Sequence, residues 1–294
     1  MDCWTSSFEL RKHVFDSLKE LNITPSSQRG QNFLIDSKII NFQVNQADIQ
    51  SKDVILEIGG GIGNLSKCLA SRAKKLIIIE QDKRMANFLT SFLKDFTNVE
   101  IIQGDAVKVD LPRFNKCISN LPYQISSPIT FKLLEHTFDL AVLMYQREFA
   151  DRFFAKPGTK DYSRISVMIN SKANCKNLKT VKPTSFYPQP KIFSSIVSIT
   201  RKEEVNIENY DSFSAFVRLL FTNKKKTVRT ILLNIIKRME KRDLAVERSI
   251  LDSLQFMDRR VFTMSLEELV QFHKHIKKRI GEELWLNIIS PNMK

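Results

Sequence analysis

The sequence predicts an α/β fold, a mostly parallel sheet flanked by helices, with a small all-helical C-terminal domain behind it. Three observations carry that prediction. Short apolar runs at 54–58, 75–79, 99–102 and 117–119 alternate with stretches of helical periodicity, the rhythm of strands buried on both faces of a parallel sheet. The first run ends in Gly59-Gly60-Gly61-Ile62-Gly63 and leads into a helical pattern at Leu65, Cys68 and Leu69, so strand, glycine loop and helix follow one another. Near Arg201-Lys202-Glu203-Glu204 the composition changes, and the later patterns are helical. The expected division is an N-terminal helical extension over 1–24, an α/β domain over 25–202 and a helical domain over 203–294.

Composition narrows the partners. Hydrophobic content of 43% and charged content of 27% are ordinary for a globular chain of 294 residues. The charge balance is not: Lys+Arg 46 against Asp+Glu 32 gives +14 and a pI near 9.6, which points to a polyanion such as nucleic acid. Cys3, Cys68, Cys117 and Cys175 are widely spaced with no C-x-x-C, so neither a zinc site nor a disulfide framework is indicated, and a reduced, cytoplasmic setting fits. His273 and His275 lie two apart on a helical stretch and point different ways, so no metal is expected. No apolar run approaches membrane-spanning length, and an N-terminus carrying Asp2, Glu9, Asp16 and Glu20 resembles neither a signal nor a transit peptide.

Taken in order, residues 6–21 read as an amphipathic helix (Phe8, Val14, Phe15, Leu18, Leu21) closed by Asn22 and Pro25. The polar loop Ser26 to Leu34 then runs into a helical pattern over 35–44. It is either a linker or a lid, since Gln31 and Asn32 offer amide donors and acceptors without charge. The glycines that follow are spaced G-x-G-x-G, at Gly59, Gly61 and Gly63, and not G-x-G-x-x-G. With acidic Glu57 ahead, that spacing favours S-adenosylmethionine over NAD, against the plainer reading of a tight turn. Glu80 ends the second strand about 20 residues past the loop, where a carboxylate accepts ribose hydroxyls. Its competing role is to cap the helix that begins near Asp82. The third strand leads into Gly104-Asp105-Ala106, where a carboxylate meets an adenine amino group. Three successive strand ends bearing glycine or acid fit the rule that ligands bind beyond the carboxyl edge of an open α/β sheet.

The fourth strand runs into Asn120-Leu121-Pro122-Tyr123. An adenine N6 is a poor nucleophile because its lone pair is delocalised into the ring. The Asn120 side-chain oxygen and the backbone carbonyl around Leu121 offer acceptors for both N6 protons, which favours a pyramidal nitrogen. Pro122 stiffens the turn, and the Tyr123 ring offers a stacking face and stabilises developing positive charge. The bland alternative is an Asx-type turn. Residues 140–145 read as a fifth strand, and 164–169 and 192–199 as the last strands. Between these lies Phe186-Tyr187-Pro188-Gln189-Pro190-Lys191, a rigid loop that either holds Phe186 or Tyr187 as a second stacking surface or uses Phe186 as a core anchor.

Three helical stripes follow: Phe213, Phe216, Val217, Leu220 and Phe221; Val228, Ile231, Leu232, Ile235 and Met239; and Leu266, Leu269, Val270, His273 and Ile276, the last opened by a Ser265/Glu268 capping box. Lys224, Lys225, Lys226 and Arg229 cluster at the start of the second. Cations are unfavourable at a helix N-terminus, which points to phosphates as their partners.

Assembled, the motifs GQNFL (30–34), EIGGGIGNLS (57–66), IEQD (79–82), GDA (104–106), NLPYQIS (120–126), QREFADR (146–152), YSRISV (162–167), FYPQPKIFSS (186–195) and KKKTVR (224–229) resemble the ribosomal RNA adenine N6,N6-dimethyltransferase family, the KsgA/Dim type in an archaeal-like form. The resemblance implies a Rossmann-like class I methyltransferase sheet, seven-stranded and mostly parallel, with a helical C-terminal RNA-binding domain. It implies an S-adenosyl-L-methionine site of Gln31, Asn32, Leu34, Gly59, Gly61, Glu80, Asp105 and Asn120, and catalytic roles for Asn120, Leu121, Tyr123 and Phe186. Lys224, Lys225, Lys226 and Arg229 would bind RNA. The implied substrate is small-subunit rRNA or the immature small ribosomal subunit, acted on by a monomer. Gly60 stands where the family often has proline, which should loosen the loop, and Asn223-Lys224-Lys225 replaces arginines that grip phosphate bidentately. A large-subunit rRNA methylase of the antibiotic-resistance type, and a non-catalytic RNA-binding assembly or transcription factor, are the competing functions.

Overall fold

A computed structural model describes residues 3–26, 30–202, 205–237, 249 and 251–289. They form two compact units: 1–150 with 173–202, and 151–172 with the residues from 203 onward.

The first unit is built on a seven-stranded sheet. Its strands are β2 (Val54–Ile58), β3 (Lys75–Glu80), β4 (Val99–Gln103), β5 (Lys116–Asn120), β6 (Leu140–Gln146), β7 (Ala173–Val181) and β9 (Ser194–Arg201), in the order β4-β3-β2-β5-β6-β9-β7. The first five are parallel and β9 runs antiparallel to both its neighbours. The apolar runs became strands because helices cover both faces: Ile55, Leu56, Leu76, Ile78, Cys117 and Ile118 are fully buried. Strand order reverses at β2, whose neighbours are β3 and β5. That switch point opens a crevice at the carboxyl edge.

The N-terminal helix α1 (Ser7–Glu20), capped by Ser6, is no separate extension. Leu10, Val14 and Leu18 share one core with Leu34, Ile39, Ile40 and Val44, the last three on α2 (Ser37–Gln46). A second difference lies in the cysteines. Cys3 and Cys68 form a disulfide, with Cα atoms 5.2 Å apart, while Cys117 and Cys175 are free. A separation of 65 residues hides this pair from any reading by spacing.

Two further expectations change in the structure. Residues 164–169 are not a strand but part of helix α7 (Arg164–Lys172) in the second unit. Ile165 to Ile169 are all buried, and a run buried on every side shows no periodicity by which helix and strand can be told apart. The strand that the sequence concealed is β7, a sheet edge whose Lys176 and Lys179 are exposed, as solvated edges require. The stretch 151–172, expected within the α/β domain, therefore groups with the C-terminal residues.

That second unit packs α7, α8 (Tyr210–Phe221), α9 (Val228–Ile236) and the helices Leu266–Ile280 and Glu282–Ile289. Phe216 lies 5.6 Å from Phe272 and 5.3 Å from Trp285. The Trp285 indole donates to Ser212 Oγ at 2.8 Å, and His273 is buried beside that hydroxyl, its pKa pushed down to about 4 by burial. His275 is exposed, so the two histidines do point apart. The expected capping box at Ser265 and Glu268 is present, and Met239 of the second stripe lies outside the described residues.

Candidate active site

The loop after β2 is shaped by backbone that only glycine adopts readily. Gly59, Gly61 and Gly63 have φ of 76°, 59° and 84°, in the left-handed region. Gly60 has no such φ; space restricts it, since a Cβ there would lie 2.5 Å from Ile78 Cγ2 and 3.0 Å from Leu89 Cδ1. The departure from proline at this position is matched by its packing, so Gly60 is wedged and not loosened.

Backbone bonds hold the three strand ends side by side. Gly59 N–H donates to Ile79 O at 2.8 Å, and Gly104 N–H to Glu80 O at 2.9 Å. On the other side, β2 and β5 pair through Ile55–Lys116 and Leu56–Cys117, after which the Ser119 hydroxyl accepts the Ile58 N–H at 2.8 Å. The two strands splay there, and Asn120 sits beyond the split.

A cavity of about 490 Å³ fills the crevice. Gln31, Asn32, Leu34, Gly59, Gly61, Glu80, Asp105 and Asn120 all line it, so every residue expected to touch the cofactor is brought together. A short antiparallel pair, β1 (Phe33–Leu34) with β8 (Phe186–Tyr187), carries the Gln31-Asn32 segment to the rim. The segment is also fitted to the motif after β5: Gly30 has φ 72°, and a Cβ on it would run into Gln124. Residues 30–34 are therefore a packed wall of the cavity and not a linker, while Ser27, Gln28 and Arg29 of the same loop lie outside the described residues.

The cavity is acidic. Glu80 is 7% exposed, and its two oxygens accept from Gly61 N–H (2.8 Å) and Asp82 N–H (2.9 Å). Burial raises its pKa, which those backbone bonds only partly offset. Glu57 is more deeply buried, its Oε2 has no hydrogen-bond partner, and desolvation pushes its pKa up to about 8. Glu57 therefore keeps its proton at neutral pH and adds no charge, and the acidic lining consists of Glu80, Asp82 and Asp105. Such a pocket suits a cationic ligand with hydroxyls and an amine to donate, the character of S-adenosylmethionine. Among the described residues no group of three or more His, Cys, Asp or Glu is placed to hold a metal ion.

At the split in the sheet, Asn120 Oδ1 is buried and without a hydrogen-bond partner. A buried carbonyl in that state is costly unless a ligand supplies a donor. Leu121 is 2% exposed. The Tyr123 hydroxyl is bonded to Ser194 Oγ at 2.7 Å, and burial raises its pKa, so the phenol stays protonated at neutral pH. Leu121, Tyr123 and Phe186 are all outside the cavity lining, whereas Asn120 and Pro122 are part of it. Phe186 is 3% exposed and packs in the core with Leu34, as the core-anchor alternative requires. Its neighbour Tyr187 is exposed and meets Phe15 edge-on at 4.7 Å.

Asn64 went unnoticed in the sequence. It lines the cavity, donates from Nδ2 to Leu34 O at 2.8 Å, and so ties the Gln31–Leu34 wall to the glycine loop. Its signal was a polar residue set between buried Ile62 and Leu65. In the second unit the four basic candidates divide. Lys225 and Lys226 are exposed, whereas Lys224 Nζ donates to Lys160 O (2.7 Å) and Tyr162 O (2.6 Å), and Arg229 pairs with Asp252 and Asp258.

A switch-point cavity with a glycine loop, strand-end acids and an Asn-Leu-Pro-Tyr turn defines an S-adenosylmethionine-dependent methyltransferase of class I. A sequence model of the ribosomal RNA adenine dimethylase family matches residues 24–269, and the chain belongs to that family. It is 41% identical over 270 residues to a probable ribosomal RNA small subunit methyltransferase A from Pyrococcus furiosus, covering 91% of this chain and 98% of the relative. A dimethyladenosine transferase from Plasmodium falciparum superposes with a TM-score of 0.72 at 31% identity, over 84% of this chain and 98% of the other. The 23S rRNA methyltransferase ErmE gives 0.59 at 27% identity, over 84% and 100%.

Proposed function

We propose that this protein transfers methyl groups from S-adenosylmethionine to N6 of two adjacent adenosines in a hairpin near the 3′ end of small-subunit rRNA. The product is N6,N6-dimethyladenosine, formed during small-subunit biogenesis. The observation that carries the reading is the buried, unpartnered Asn120 Oδ1 on the wall of an acidic cavity. When bound, the cofactor supplies an electrophilic sulfonium methyl.

The chain's own residues do the rest. Asn120 Oδ1 and the Leu121 carbonyl accept hydrogen bonds from the N6–H groups, two before the first transfer and one before the second, which localises the nitrogen lone pair and aligns it. The N6 proton displaced in each transfer leaves to solvent afterwards. Tyr123, pinned through its hydroxyl by Ser194, presents its ring to the extruded base. With a raised pKa it serves as a face and not as a general base. Glu80 and Asp105 orient the cofactor's ribose and adenine, and the buried Phe186 holds the loop that frames the site. The exposed Lys225 and Lys226 contact RNA phosphates. In this reading the enzyme works as a monomer in the cytoplasm on the immature subunit. Identity of 41% to a small-subunit methyltransferase, against 27% to the 23S enzyme, favours the small subunit over the large.

The test is methyl transfer from labelled S-adenosylmethionine to immature small subunits, with large subunits in parallel, followed by nucleoside mass spectrometry. Dimethyladenosine in the small subunit alone is the expected result. Label in the large subunit alone would move the substrate, and label in neither, with cofactor bound, would leave an assembly role.

A further inference from the structure

The family match begins at residue 24, yet the back of the glycine loop is held by residues ahead of it. Trp4 is 3% exposed, and its indole N–H donates to Asn64 O at 2.7 Å. His13 Nε2 lies 2.8 Å from Ile62 O. A carbonyl only accepts, so Nε2 must carry the proton there. The His13 ring stacks on Phe92 at 4.6 Å and meets Trp4 at 5.0 Å. Phe92 in turn presses on Gly63, where a Cβ would lie 2.7 Å from its ring. Ile62 and Asn64 both line the cavity, so the same two residues face the ligand and are gripped from behind.

We propose that His13 and Trp4 are positioning residues for the cofactor loop, holding the Ile62 and Asn64 carbonyls so that the glycine backbone is already arranged when S-adenosylmethionine arrives. The proposal rests on the reading of the cavity as the cofactor site. Its physical basis is entropic. A stretch with glycine at 59, 60, 61 and 63 has more conformational freedom to lose than any other, and ordering it on binding would weaken affinity. Two hydrogen bonds from a packed aromatic cluster impose that order beforehand. Neither side chain is assigned a contact with the cofactor, so the effect belongs to cofactor affinity and not to the methyl transfer step.

Calorimetric titration with S-adenosylmethionine, together with steady-state kinetics, tests this on the full chain. His13→Phe keeps the stacking ring but removes the donor, and Trp4→Phe removes the indole N–H. Each is expected to raise Kd and the KM for the cofactor about three- to tenfold, the loss of one hydrogen bond, while kcat at saturating cofactor holds within about twofold. His13→Gln, which restores an N–H donor, should return Kd to within about twofold of the native value. A merely structural role would lower the melting temperature and the active fraction without moving KM. Native affinity in both Phe variants, or a Gln variant as weak as His13→Phe, would overturn the proposal. If the native chain itself bound no cofactor, the site reading would fall and the proposal with it.

Discussion

The glycine-loop end of the α/β unit and the basic loop over 224–229 of the helical unit were equally conspicuous in the sequence, yet they fared differently. At the first, every expected cofactor residue converged on one cavity. At the second, two of four cations serve the fold itself: Lys224 donates to two backbone carbonyls and Arg229 pairs with two aspartates, while Lys225 and Lys226 face solvent. A glycine loop is defined by backbone conformation, which is local. Whether a cation's charge is answered within the protein depends on residues far away in sequence, here Tyr162 and Asp258.

The comparison breaks most readily at Asn120. Asn120→Ala should cut kcat by about a hundredfold or more, because the target nitrogen loses its alignment, while S-adenosylmethionine still binds in calorimetry. Unchanged transfer would remove the turn from the chemistry. Next in size is Glu57. Its folded-state pKa, pushed up to about 8 from an ordinary 4.5, means that the native state keeps a proton the unfolded chain releases. Its contribution to stability is complete below pH 4.5 and is lost as pH rises toward 8, by at most about 1.4 kcal/mol per unit. Urea titrations of wild type and Glu57→Gln from pH 5 to 8 should show a difference curve with that slope; a flat one would mean the carboxyl is solvated.

Gly60→Ala tests whether the loop is wedged or merely free. Overpacking against Ile78 and Leu89 should cost about 1–3 kcal/mol, read as a lower urea midpoint at constant m-value. A neutral outcome would put Gly60 among the tolerant positions. The smallest effects separate the cations. Lys225→Ala and Lys226→Ala should leave the melting temperature alone and each reduce the salt slope of RNA binding by about 1. Lys224→Ala should lower the melting temperature instead, by depriving Lys160 and Tyr162 carbonyls of their donor. The reverse pattern would erase the contrast between the two loops.

The particular residues show where sequence reading stops. The parallel strands were legible because each is an apolar run between punctuated helices, and the capping box at Ser265 because its signal spans four residues. Helix α7 was misread as strand because complete burial erases periodicity, and β7 escaped because an edge strand carries lysines where a central one carries valines. Phe186 read equally as a stacking face or an anchor, and its burial in the core with Leu34 depends on residues that its own loop does not contain.

What the sequence determined by itself was the local chemistry: G-x-G-x-G at the end of a strand, acids at the next two strand ends, and Asn-Leu-Pro-Tyr at the fourth. Each depends on neighbours a few residues away, and backbone sterics bind such neighbours tightly. Only the tertiary structure decided which distant groups meet. It paired Cys3 with Cys68, set Trp4 and His13 behind the glycine loop, left Asn120 Oδ1 buried without a partner, and drew Lys224 and Arg229 into the fold. Those outcomes turn on contacts between residues that spacing along the chain does not relate, and packing alone selects among them.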